Sequence, residues 1–188
     1  MGSIDVRPIG VQQLQGVIYL LRICCGIATI CIYLRMANTY SQIILHVIFA
    51  VKSRNALLPT CELPRIHAYI AGTLKKLGHF PYAVGGIENH VHILLGFNIT
   101  HTIPDMVRDV KSMVSRFIND NHMILYRFEW QAGYGCFSYS KSQVETVCHY
   151  ISRQHEHHKS VSFEDEMRLF LDKFDIEYDE RYMLTEPK

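Results

Sequence analysis

The apolar positions along this chain change period several times, and each change marks an element. Ile43 to Lys52 (IILHVIFAVK) is dense in β-branched and aromatic residues and predicts a strand. Asn55 to Thr60 breaks it. From Leu63 to Leu77 the spacing turns helical, with Ile66, Ile70, Leu74 and Leu77 on one stripe and Gly78 in the place of a closing glycine. Tyr82 to Gly96 predicts two short strands or one bent strand, with Gly85-Gly86 as turn or bulge. A second helix opens at Pro104 and carries Ile103, Val107, Val110, Val114 and Phe117 along one side. Glu129 to Ser138 suits a short edge strand. Ser140 or Ser142 can then cap a third helix reaching about Gln154, and Phe163 to Phe174 is amphipathic and acidic. The order strand, helix, strands, helix, strand, helix fits an α+β two-layer sandwich of the ferredoxin-like or RRM-like kind. In it an antiparallel sheet has helices packed on one face.

The first 35 residues are different material. They hold three basic residues (Arg7, Arg22, Arg35), one acid (Asp5) and no histidine. Val17 to Leu34 is mostly apolar and has just the length that crosses a bilayer as a helix, but Arg22 sits five residues into it. No small-residue cleavage site follows, as a signal peptide would need. Met36 opens a short polar lead into the first strand. The expectation is therefore an extension, residues 1–35, from an upstream start or appended sequence, ahead of a working domain at 36–188. A membrane anchor is the lesser alternative.

Composition narrows the field. Of 188 residues, 48% are hydrophobic and 20% charged, which suits a packed core and argues against wholesale disorder. Nineteen basic against eighteen acidic side chains exclude a strongly cationic tail-binder, though not a local basic face. Six cysteines form no CxxC pair, so neither a thiolate zinc site nor a dithiol redox centre is indicated. Eleven histidines are the excess that points to chemistry.

Two of them, His90 and His92, alternate along a strand-like run and so share one face, with Val91, Ile93 and Leu95 on the other. Paired imidazoles can chelate one divalent cation, and a lone HxH also fits ordinary hydrogen-bonded core histidines. On the third helix Tyr150 and Gln154 are one turn apart, flanking a core stripe of Val144, Val147, Cys148 and Ile151. A boundary tyrosine and a solvated glutamine are the plain alternatives. Arg108, Lys111, Ser112, Ser115 and Arg116 occupy the polar side of the second helix and can grip phosphates, diluted by Asp105 and Asp109. Tyr134 and Phe137 can stack on unpaired bases if exposed. His155, His157 and His158 crowd a helix end, where capping of carbonyls is the favoured role over a second metal site. His46 suits a partner behind a ligand, or a half-buried strand position.

Several spaced motifs together resemble a family. From Met36 onward the chain resembles the single-tyrosine HUH transposases of the smallest bacterial insertion sequences, the IS200-like family, and their REP-associated relatives. The residues that carry this are IILHVIFAVK (43–52), IENHVHILL (87–95), VKSMVSRFI (110–118), WQAGYGCFSYSKSQ (130–143), YISRQHEHH (150–158) and the tail SFEDEMRLFLDKFDIEYDERYM (162–183). The resemblance implies that His90, His92 and Gln154 bind Mg²⁺ or Mn²⁺. It implies that Tyr150 attacks the scissile phosphate to leave a 5′-phosphotyrosine and a free 3′-hydroxyl. On the charge reading of the second helix, not the resemblance, Arg108, Lys111 and Arg116 are the candidates to contact the DNA. The substrate would be single-stranded DNA with hairpins at the element ends, the assembly a homodimer, the location the bacterial cytoplasm. No small-molecule substrate and no membrane partner are implied. A domesticated binder of structured single strands is the rival, but needs none of His90, His92, Tyr150 and Gln154. A zinc hydrolase is a weaker rival, since no HExxH helix exists and the nearest acid is Glu88.

Overall fold

The computed structural model describes residues 13–14, 17–24, 27–34 and 40–188, and the chain divides into two compact units, residues 1–41 and 42–188. In the first, β1 (Gln13–Leu14), β2 (Val17–Cys24) and β3 (Ile27–Leu34) form an antiparallel sheet in that order. The apolar run that matched a spanning helix in length is thus a pair of strands. The expected boundary at Met36 lies outside the described residues. Among these, no helix is long and apolar enough to cross a membrane.

The second unit is an α+β sandwich. Its elements are β4 (Ile44–Ala50), α1 (Leu63–Lys76), β5 (Phe80–Ile87), β6 (His90–Gly96), α2 (Ile103–Asp120), β7 (Gly135–Tyr139), α3 (Val144–Ser152), α4 (Gln154–His157) and α5 (Phe163–Lys173). The four strands run antiparallel in the order β5-β6-β4-β7. β6 and β4 are therefore central and buried on both sides. In their register Ala50 faces His90, Ile48 faces His92 and His46 faces Leu94.

Alternation divides these strands cleanly. Leu45, Val47 and Phe49 of β4, with Val91, Ile93 and Leu95 of β6, pack under α1 and α2 against Ile66, Ile70, Leu74, Val107, Val110, Val114 and Ile118. This is the main core of the two-layer sandwich. The intervening residues turn to the other side, where α3 seats Val147 and Ile151 on Ile44 and Leu94. There α5 seats Phe163, Met167 and Phe170 on Ile48, Ala50 and Phe137. The chain's last residues strap across this end. Gln131 Nε2 donates to the Thr185 carbonyl at 2.6 Å, and Arg54 N–H to that of Lys188 at 3.0 Å. The Glu186 carboxylate accepts from Asn89 Nδ2 at 2.7 Å and from Phe163 N–H at 3.1 Å.

Three local expectations are corrected. The β5–β6 turn is at Glu88-Asn89, and Gly85-Gly86 lie inside β5. Gly86 has φ +138, and a Cβ there would meet the His90 carbonyl at 2.3 Å. A Cβ on Gly85 would meet Ile151 at 2.7 Å, so its absence lets α3 lie directly on the sheet. The third helix does not run unbroken to Gln154; it stops at Ser152, and after Arg153 (φ −105, ψ 15) a short α4 begins at Gln154. Phe137 is buried in the apolar cluster under α5 and offers no exposed stacking surface, while Tyr134 is half-buried.

Candidate active site

The polar side of β6 holds two fully buried imidazoles, His90 and His92, both 0% exposed. Their outer nitrogens are engaged. Asn89 donates through Nδ2 to Glu186, which turns its Oδ1 toward His90 Nδ1 at 2.6 Å. His90 Nδ1 is therefore the donor, and Nε2 points inward with its lone pair. His92 Nδ1 lies 3.0 Å from His46 Nε2 on the neighbouring strand. His46 is thus the partner behind a site histidine, one of its two expected roles. Burial, reinforced by the neighbouring His92, holds both His46 and His90 well below the usual imidazole range.

The helices opposite complete the cluster. Gln154 is 1% exposed, and its Oε1 lies 3.2 Å from His90 Nε2 and 2.9 Å from His158 Nε2. Its Nε2 donates to Glu166 Oε1 at 3.0 Å, fixing which way the amide faces. Glu166 comes from the acidic tail but sits in the apolar stripe of α5 between Phe163 and Phe170, 1% exposed. Its Oε2 is 3.5 Å from His90 Nε2, 3.3 Å from His92 Nε2 and 3.3 Å from His158 Nε2. Burial alone would raise this carboxyl; the His158 and His92 imidazoles beside it outweigh that and hold Glu166 far below the usual range. His158 is held by the Val161 carbonyl, which accepts from its Nδ1 at 2.8 Å. Burial works against its charge, but Glu166 and that carbonyl prevail and raise its pKa.

Tyr150 stands at the rim, half-buried, its hydroxyl donating to Glu166 Oε1. Burial first, and the Glu166 charge second, push its phenol well above the ordinary value, so it is protonated at neutral pH. It opens onto a cavity of about 270 Å³ lined also by Tyr139, His157, Phe170 and Lys173.

This arrangement can hold a metal ion. His90, His92, His158 and Glu166 each bring one donor atom, all within 4.8 Å of one another. His92 Nε2 and Glu166 Oε2 are buried with no hydrogen-bond partner among the described residues. Imidazole nitrogens and a carboxylate are a donor set that divalent cations accept.

Of the residues singled out in the sequence, His90, His92, Gln154 and Tyr150 meet in one place. Glu166 was missed, and His158, read there as a helix-end group, turns inward to join them. The signals existed: Glu166 shares the helical stripe of Phe163, Met167 and Phe170, and His158 follows Gln154 by one turn. Glu88 is outside the site, accepting from Thr60 Oγ1 at 2.7 Å.

The basic residues of α2 lie on the opposite side of the sheet, along a groove of about 590 Å³ that they share with Trp130, Gln131 and Tyr134. Arg108 is paired with Asp105 and Asp109. Lys111 donates to the carbonyls of Gln131 at 2.8 Å and Gly133 at 2.6 Å, and burial lowers its pKa to about 8. Arg116 is exposed.

Residues 39–154 match the family model described as transposase IS200 like. Two solved structures are similar. One is a candidate transposase from Deinococcus radiodurans R1, 21% identical over 64% of this chain and 96% of that one, with a TM-score of 0.49. The other is a REP-associated tyrosine transposase bound to a REP hairpin, 13% identical over 68% of this chain and 75% of that one, also at 0.49. No curated protein matches the sequence.

Proposed function

The chain belongs to the IS200-like transposase family, and from that premise we propose that it cuts and rejoins single-stranded DNA through Tyr150. The observation that carries this reading is the convergence of Tyr150, Gln154, His90 and His92, from three elements, around one buried polar cluster.

In the proposed step the Tyr150 oxygen attacks the scissile phosphorus. The Oη–P bond forms as the P–O3′ bond breaks, giving a 5′-phosphotyrosine and a 3′-hydroxyl that later reverses the exchange. The covalent link conserves the bond energy, so no nucleotide cofactor is needed. A phenol above its usual pKa must shed its proton as the bond forms. Glu166 Oε1 already accepts that hydrogen bond and lies on the proton's path. Lys173, on the wall of the same cavity, is a cation for the incoming phosphate. His90, His92 and Gln154 would hold Mg²⁺ or Mn²⁺, which supplies charge neutralisation at the phosphate when bound. Hairpins at element ends are the proposed substrate and a homodimer the proposed assembly. Of the α2 side chains, Arg116 is the freest for a phosphate, since Arg108 is engaged by aspartates and Lys111 by backbone.

The test is a cleavage assay with the full chain on labelled single strands from the flanks of its gene, with Mg²⁺ or Mn²⁺. A slow-migrating covalent protein–DNA band, lost in Tyr150→Phe and in chelator, is expected. Binding of those strands without the band, under both metals, would replace this reading with a non-cleaving binder.

A further inference from the structure

We infer that His158 and Glu166 are themselves metal ligands, bringing with His90 and His92 four imidazole and carboxylate donors to the divalent ion that Gln154 Oε1 also faces. This deepens the metal-assisted reading and rests on it. Both residues lie beyond residues 39–154, the segment the family model matches.

His90 Nδ1 donates to Asn89 Oδ1, and His158 Nδ1 donates to the Val161 carbonyl, which can only accept. In the neutral ring each then presents a bare lone pair at Nε2. Those lone pairs face Gln154 Oε1, turned that way because its amide nitrogen is committed to Glu166, and the ionised Glu166 Oε2. His92 Nε2 points at the same oxygen. With these rings neutral and His92 carrying its hydrogen on Nδ1, acceptors meet acceptors among almost wholly buried side chains. Buried lone pairs in that arrangement repel unless a positive charge lies among them.

The spacing suits a cation in particular. Glu166 Oε2 is 3.5, 3.3 and 3.3 Å from the three Nε2 atoms. Donors about 2.1 Å from a central ion in tetrahedral array stand about 3.4 Å apart, which these three separations match, and all four donors lie within 4.8 Å of one another. Each imidazole is also braced from behind, by Asn89, His46 or the Val161 carbonyl, as metal-bound histidines commonly are. The two carboxylate oxygens divide the work: Oε2 faces the histidines while Oε1 holds the Tyr150 hydroxyl and the Gln154 amide. One side chain thus ties the ion to the nucleophile.

The experiment is direct metal binding by the full chain, stripped with chelator, with Mn²⁺ followed by calorimetry and paramagnetic resonance. The visible spectrum of the Co²⁺ form reports the ligands. His158→Ala and Glu166→Gln, each checked for native near-ultraviolet dichroism, are each expected to weaken Mn²⁺ binding at least roughly tenfold and to shift the Co²⁺ bands. Glu166→Asp, which keeps a carboxylate if Glu166→Gln fails to fold, is expected to retain binding with altered bands. Wild-type affinity and spectrum in the His158 and Glu166 variants, with binding lost in His90→Ala, would overturn the assignment and leave Tyr150 chemistry standing. Native wild-type protein that takes up no ion would also overturn it, a shared proton then filling the cluster. Loss of the covalent DNA band with the four-donor pattern intact would instead sink the function and keep the site.

Discussion

Adjacent residues of one strand live in two different environments here. Leu45, Val47 and Phe49 face α1 and α2 among largely apolar neighbours, with Lys111 Nζ 5.1 Å from the Phe49 ring centre. Ile44, His46 and Ile48 face α3 and α5 and are buried just as deeply, yet that side leaves His46 Nδ1, His92 Nε2 and Glu166 Oε2 without hydrogen-bond partners among the described residues. Buried polar atoms normally find partners. Burial is thus the same on both sides of the sheet; the packed side strands single atoms such as Trp130 Nε1, whereas the polar side gathers three unpartnered atoms in one cluster. The packed face carries the stability, and the polar face spends some of it on a prearranged cluster.

Truncating one residue on each side tests this most strongly. Phe49→Ala, which empties a fully buried position beside Trp130, is expected to cost about 3–5 kcal/mol in urea denaturation. His46→Ala, on the same strand, is expected to cost less, about 1–3 kcal/mol, chiefly by stranding His92 Nδ1. Equal losses would erase the contrast. Next comes Gly85→Ala, which drives a methyl into Ile151 and lifts α3 from the sheet. It is expected to cost about 1–3 kcal/mol and to cut the Tyr150–DNA band severalfold more than the unfolded fraction explains. A variant with wild-type band intensity would show that the seating of α3 does not set the tyrosine.

The smallest effect is in acid. On α1, burial lowers His67 to about 4. The unfolded chain takes up that proton first, so stability is flat above about pH 7 and falls as pH drops from about 6.5 toward 4. His67→Gln should flatten the decline by about 1 kcal/mol near pH 5.5. Chemical denaturation at several pH values measures it. His46 and His90 slope the same way, so an unchanged curve in the variant would place the acid sensitivity on the polar face alone.

The packed face was the legible one. The β-branched density of 43–52, the alternation in 89–95 and the stripes of α1 and α2 give β4, β6 and both helices almost to the residue, and that alternation puts His90 and His92 together. Legibility ended where tertiary contacts decide. Nothing local in Ile151-Ser152-Arg153 announces the break before Gln154. The stretch 163–174 read only as amphipathic and acidic, and it is the docking of Phe163, Met167 and Phe170 on the sheet that sends Glu166 inward. Phe137 read as a stacking aromatic because the helix that covers it lies some 30 residues further along the chain.

The strap of closing residues has a consequence for synthesis. Arg54 is bonded to Pro187, Gln131 to Thr185 and Asn89 to Glu186. On a ribosome adding roughly 5–20 residues per second, β4, β6, α1 and α2 emerge first and can close the apolar core early. Glu166 and Glu186 follow the histidine pair by roughly 70 to 100 residues, so the nascent chain carries that pair for seconds before the groups that orient and neutralise it. A translating chain can therefore be folded on one side while still chemically incomplete on the other.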